Sequence, residues 1–160
     1  MNPTRILFVC AGNICRSPLA EGIFRDIAAK AGRADEFDVD SAGTGGWHQG
    51  HKPDRRSIAV AARHGIDISR QRARRVVDQD FFRFDLILAM DEDNLTDLRD
   101  RAPASALGKV HLFDAFTRSG TQDVPDPYYG GPEGFETVYA MLFAGCSMLL
   151  DDGTGKTCGS

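Results

Sequence analysis

The segment Leu86-Ile87-Leu88-Ala89-Met90 is apolar at every position. A strand with one wet face would alternate polar and apolar side chains, so an unbroken run belongs to a strand covered on both faces. That condition points to a parallel sheet with helices packed above and below it. Ile6-Leu7-Phe8-Val9 has the same character and sets a first strand at Arg5 to Val9. Phe37 to Ser41 reads as a short second strand, and Lys109 to Phe113 as the last. Helical patterns stand between them. The expected fold is α/β: a three-layer, doubly wound domain whose four-stranded parallel sheet is flanked by helices on both faces.

The helices are read from their ends. Ser17 is taken as the N-cap of the first, Pro18 as its first residue, and Glu21 as a first-turn complement to the dipole. Leu19, Ile23, Phe24 and Ile27 form its apolar stripe, and it should end near Gly32. A Gly-rich loop, Ala42 to Lys52, carries Trp47, His48 and His51. Pro53-Asp54 opens the second helix and Gly65 closes it. A third, Asp93 to Arg101, is stopped by Pro103. Asp114 to Pro132 reads as a long loop, and Gly134 to Leu150 as the last helix. Residues 1–150 form one domain on this reading, and residues 151–160 a polar, flexible tail.

A chain of 160 residues with a net charge of −4 is a single folded unit and not a general nucleic-acid binder. No apolar stretch is long enough to span a membrane, and the four apolar residues behind the N-terminus are too few for a signal peptide. Cys10, Cys15, Cys146 and Cys158 show neither a disulfide framework nor paired zinc spacing. The four histidines, His48, His51, His64 and His111, make no metal cluster. A cytoplasmic monomer without metal or cofactor is expected.

The chemistry concentrates in Cys10-Ala11-Gly12-Asn13-Ile14-Cys15-Arg16-Ser17-Pro18, between the first strand and the first helix. Backbone N–H groups of such a loop converge on an oxyanion, and a helix N-terminus favours negative charge. The same field favours the nucleophilic thiolate at Cys10. Arg16 can clasp two phosphate oxygens with its planar fork. Ser17 can donate to the sulfur. Gly12 allows close backbone approach, and Asn13 tolerates unusual dihedrals. Asp126, between Pro125 and Pro127, is either a turn residue or a carboxyl aimed by its prolines. Trp47, Tyr128 and Tyr129 are candidate walls of a cleft above Cys10. Arg70, Arg72, Arg74 and Arg75 read as a solvated face.

Cys10 to Pro18, together with Asp126-Pro127-Tyr128-Tyr129, resembles the low-molecular-weight protein tyrosine phosphatases. Asp40 to Gly43, Trp47, His64-Gly65-Ile66 and Met90-Asp91 fit the same resemblance. It implies hydrolysis of phosphotyrosine in proteins or peptides through a phosphocysteine, releasing inorganic phosphate. Cys10 would be the nucleophile and Arg16 the phosphate ligand, with Ala11, Gly12, Asn13, Ile14 and Cys15 completing the loop. Asp126 would be the general acid, and Trp47, Tyr128 and Tyr129 would receive the substrate ring. It also implies a reversible Cys10–Cys15 disulfide under oxidation. Thiol-linked arsenate reductases look similar at the loop, but they relay a disulfide through mid-chain cysteines, and none lies between Cys15 and Cys146. Phosphoarginine phosphatases are the other alternative; Ile14 and the Tyr128-Tyr129 pair favour phosphotyrosine. A catalytically silent phosphate-binding module would keep no use for Asp126.

Overall fold

β1 (Thr4–Cys10) and β3 (Leu86–Ala89) are the inner strands of a four-stranded sheet, with β2 (Phe37–Gly43) and β4 (Val110–Leu112) at its edges. The structure is a computed structural model describing residues 2–118, 122–128 and 130–159, without the side chains of 132 and 152–159. The sheet order is β2-β1-β3-β4 and all three neighbouring pairs are parallel. The two unbroken apolar runs are thus the two inner strands, where both faces are covered.

Successive side chains of β1 point to opposite faces. Ile6, Phe8 and Cys10 meet α1 (Arg16–Lys30), α2 (Arg55–Arg63) and α6 (Pro132–Gly159). Leu7 and Val9 meet α3 (Asp80–Arg83) and α4 (Glu92–Arg101). From β1 the chain adds β2 on one side, then crosses to add β3 on the other. The crevice at the carboxyl end of β1 is therefore the switch point at which such sheets hold ligands. Cys10 is the last residue of β1.

Helix boundaries depart from the sequence expectation at several ends. α1 begins at Arg16, with Cys15 at the N-cap position and no side-chain cap. Ser17 is not the cap because its hydroxyl is engaged with the sulfur of Cys10. Glu21 falls beyond the first turn, which holds no acidic residue. Gly32 (φ 71°) and Gly65 (φ 80°) follow α1 and α2 as expected, in the left-handed conformation a helix stop favours. Asp54 caps α2 by accepting from the Arg56 N–H. Asp91 caps α4, which starts at Glu92, one residue ahead of Asp93.

The last strand is shorter than expected, and α5 (Phe113–Arg118) occupies the start of the stretch read as a loop. Phe113 is drawn into the core, with its ring centroid 6.2 Å from that of Phe8. α6 begins at Pro132, where proline suits the first turn, and continues to Gly159 past Leu150. No proline follows Pro132 to stop it, and glycine lowers helix propensity without breaking the hydrogen-bond ladder. Among the described residues, no helix is long and apolar enough to cross a membrane.

The arginine stretch is not uniformly solvated. Arg74 bridges Asp40 (3.1 Å) and the buried Asp80 (3.0 Å). Its carbonyl also accepts from the Gly43 N–H, which fastens this segment to the end of β2.

Candidate active site

Cys10 lies at the floor of a cavity of about 480 Å³. Ala11, Gly12, Ile14, Cys15 and Arg16 continue that floor, and Trp47, His48, Asp126 and Tyr128 rise around it. The loop carbonyls face away from this space. Cys10, Ala11 and Ile14 accept from the N–H groups of Thr44, Gly45 and Asp54 at 2.8–2.9 Å. In a trans peptide the N–H stands opposite the carbonyl, so the N–H groups of Ala11, Gly12 and Cys15 point away from those three donors. Gly43 allows the close approach: a Cβ there would stand 2.7 Å from the Ala11 carbonyl oxygen.

Asn13 organises the loop. It is the one non-glycine residue with positive φ (58°) among the described residues, a conformation asparagine tolerates better than most. Its Oδ1 accepts from the Arg74 N–H at 2.9 Å, which fixes the orientation of the amide. Its Nδ2 then donates to Ser17 Oγ (2.8 Å) and to Ser41 Oγ (3.0 Å). Ser41 in turn donates to the buried carboxylate of Glu21 at 2.6 Å. Ser17 has one hydroxyl proton. With its oxygen receiving Asn13, that proton can go to Cys10 Sγ, 3.0 Å away, when the sulfur is a thiolate, or to the Ala42 carbonyl at 3.4 Å when Cys10 is itself the donor. The Ser17 N–H, at 3.5 Å, adds a second donor to the sulfur.

Arg16 is 2% exposed. One end of its guanidinium is fixed: Nη1 donates to Asp91 Oδ2 (2.6 Å) and to the Val124 carbonyl (2.9 Å). Burial works against its charge, but Cys10, Asp91 and Asp126 more than offset that and raise its pKa. Its Nε is buried without a partner among the described residues. The other Asp91 oxygen caps α4 through the Asn94 N–H, so one carboxylate sets both the arginine and a helix start.

Asp126 belongs to the other side of the cavity. Its Oδ2 is 3.8 Å from Arg16 Nη2, and the side chain is 45% exposed. Its Oδ1 accepts from the Tyr128 N–H at 3.0 Å, the closed turn expected of an aspartate in this setting. The segment is tied to β3 by the Val124 N–H donating to the Met90 carbonyl at 2.8 Å. Trp47 is 71% exposed at the mouth. His48 lies against the loop, where a Cβ on Gly12 would come within 2.9 Å of its ring. Tyr129 lies outside the described residues.

Cys15 differs from Cys10 in its surroundings. Burial, with Asp54, Cys10 and Asp126 nearby, pushes its thiol up to about 12. It therefore stays protonated at neutral pH. Cys10, Cys15 and Cys146 are free thiols. Among the described residues, no group of three His, Cys, Asp or Glu side chains could hold a metal ion.

The sequence reading placed Cys10, Ala11, Gly12, Ile14, Cys15, Arg16, Trp47, Asp126 and Tyr128 at one site, and all nine line this cavity. Asn13 and Ser17 stand directly behind it. That reading gave Asp91, Ser41, Glu21 and Arg56 no part in the site. Their contacts to the site span long stretches of sequence, and the motifs Asp40 to Gly43 and Met90-Asp91 were the available signals.

Residues 5–156 match the family model described as low molecular weight phosphotyrosine protein phosphatase. The low molecular weight protein-tyrosine-phosphatase YfkJ of Bacillus subtilis is 46% identical, over 91% of this chain and 92% of its own. The human low molecular weight phosphotyrosine protein phosphatase is 40% identical, over 91% and 93%. A solved protein tyrosine phosphatase from Entamoeba histolytica superposes with a TM-score of 0.90 at 39% identity, covering 96% of this chain and 99% of its own.

Proposed function

This chain belongs to the low molecular weight phosphotyrosine protein phosphatase family, and we propose that it hydrolyses phosphotyrosine in proteins or peptides through a phosphocysteine on Cys10. The observation that carries the reading is the grouping at one cavity of a hydrogen-bonded sulfur, a buried guanidinium with an unpartnered Nε, and a carboxyl above them.

The phosphate is received by the inward N–H groups of the Ala11–Cys15 stretch and by Nε and Nη2 of Arg16, the guanidinium atoms not fixed by Asp91 and Val124. Cys10 Sγ attacks phosphorus, an S–P bond forms, and the P–O bond to the phenol breaks. The electron pair passes to the phenolic oxygen, which takes the proton of Asp126. The Asp126 carboxylate then accepts a proton from water attacking the phosphocysteine. The S–P bond breaks, inorganic phosphate leaves, and the departing thiolate is stabilised by the Ser17 hydroxyl. Trp47 and Tyr128 line the cavity where the substrate ring would enter, and the family resemblance assigns Tyr129 to the same ring. Neither metal nor cofactor takes part. Under oxidation, a Cys10 sulfenic acid condenses with the Cys15 thiol, releasing water and storing the nucleophile as a disulfide. The protein acts as a cytoplasmic monomer on this reading.

The test is hydrolysis of p-nitrophenyl phosphate in the presence of a chelator. Wild type should turn over, and Cys10→Ser should fall to background while still binding inorganic phosphate. Full activity in Cys10→Ser, or loss of wild-type activity on chelation, would overturn the reading.

A further inference from the structure

The segment carrying Asp126 has a second anchor, and it comes from the α2 side of the site. Arg56 Nη2 donates to the Tyr128 carbonyl at 2.9 Å, and Nη1 donates to the Gly130 carbonyl at 3.3 Å. The same guanidinium lies 5.6 Å from the Tyr128 ring centroid and 4.6 Å from that of Phe135. It is itself held by Asp54, with Nε on Oδ1 and Nη2 on Oδ2, both at 3.0 Å. Asp54 is fastened to the phosphate loop, since its N–H donates to the Ile14 carbonyl at 2.8 Å.

These contacts form a continuous strut: Ile14, Asp54, Arg56, then the carbonyls of Tyr128 and Gly130. At its far end is the peptide turn that places the acid, because the Tyr128 N–H is the donor to Asp126 Oδ1. Arg56 is not among the residues lining the cavity and reaches it only through the segment that carries Asp126. Its planar fork makes four hydrogen bonds at once, to two carbonyls and both oxygens of a carboxylate, one more than the three donors of an ammonium group allow.

We propose that Arg56 is a positioning residue that sets the Asp126 carboxyl over the leaving-group oxygen by fixing the Tyr128 and Gly130 carbonyls to the phosphate loop. The proposal rests on Asp126 acting as general acid. Its effect should scale with how much the leaving group depends on that proton. A displacement of the acid by about 1 Å is enough for large rate losses.

Arg56→Gln, Arg56→Lys, Asp126→Asn and the Arg56→Gln/Asp126→Asn pair would be compared by kcat/KM on phenyl phosphate and p-nitrophenyl phosphate, with thermal melts of each. The phenol leaves poorly without a proton, and nitrophenolate leaves well. Arg56→Gln should lose roughly tenfold or more on phenyl phosphate and about twofold or less on p-nitrophenyl phosphate, with Arg56→Lys between it and wild type. In the Asp126→Asn background, Arg56→Gln should add little on either substrate. Equal losses on both substrates, or full additivity in the double variant, would overturn the inference and reduce Arg56 to a structural role. If Asp126→Asn itself showed no leaving-group dependence, the fault would lie with the assignment of the acid instead.

Discussion

The two loops that meet over Cys10 are built on different principles. The phosphate loop is held by buried side chains bonded to one another: Asn13 is 2% exposed and Ser17 fully buried. The acid segment keeps Asp126 45% exposed and is fastened mainly through backbone groups, at Val124, Tyr128 and Gly130. The contrast follows from the two tasks. The nucleophile and the phosphate must meet at one fixed geometry, which a dry, fully bonded cradle supplies. On the proposed mechanism the acid faces a phenol first and a water afterwards, which calls for a carboxyl within reach of solvent.

If that division is right, damage to the two loops should register in different measurements. The largest effect is expected at the acid. Asp126→Asn keeps an acceptor for the Tyr128 N–H but holds no transferable proton. It should cut kcat/KM on phenyl phosphate by about 10²–10⁴-fold, with the melting temperature close to wild type. A large fall in melting temperature would break the comparison, because it would make the acid segment part of the structural frame.

Asn13→Ala should show the reverse balance. It strands the Arg74 N–H and removes the donors to Ser17 and Ser41, and each buried group left unpaired costs about 1–3 kcal/mol. A clear fall in stability on chemical denaturation is expected, with a rate loss on both aryl phosphates alike. Unchanged stability would mean that the cradle is not held by this amide.

The smallest effect lies at the far end of the cradle's hydrogen-bond chain. Burial raises the pKa of Glu21, and the Ser41 hydroxyl and Arg25 offset this only in part. The folded state therefore binds this proton more tightly than the unfolded chain does. The associated stability is fully present below the ordinary value of 4.5 and is lost as pH rises through the raised one. Glu21→Gln should flatten that part of the stability–pH curve, so its free energy of unfolding should gain on wild type from acid to neutral pH. Parallel curves would show that the carboxylate is relieved by groups other than these.

The parts of the molecule legible in sequence are those decided locally. An apolar run declares a doubly covered strand, and a cysteine at its end, followed by Gly-Asn and Arg-Ser-Pro, marks an anion loop before a helix starts. What escaped the reading depends on partners far along the chain. Ser17 has the statistics of an N-cap, but the sulfur claims its hydroxyl. Arg74 sits in a basic run, yet it pairs with Asp40 and Asp80. Asp91 divides its oxygens between Arg16 and α4. Phe113 begins a helix in a stretch rich in turn formers because its ring packs on Phe8. In each case a tertiary contact outweighed a local preference.

The bond from Arg16 to the Val124 carbonyl closes a sequence separation of 108 residues. Closing so long a loop costs chain entropy, which the packing of the elements between its ends has to offset. The anion cradle is thus a product of the whole fold rather than a local motif complete in itself. An oxyanion that recognises it binds the native state and not the unfolded one, and so shifts the folding equilibrium by mass action. Inorganic phosphate, the product of the proposed reaction, would on this account also act as a folding ligand for the protein that releases it.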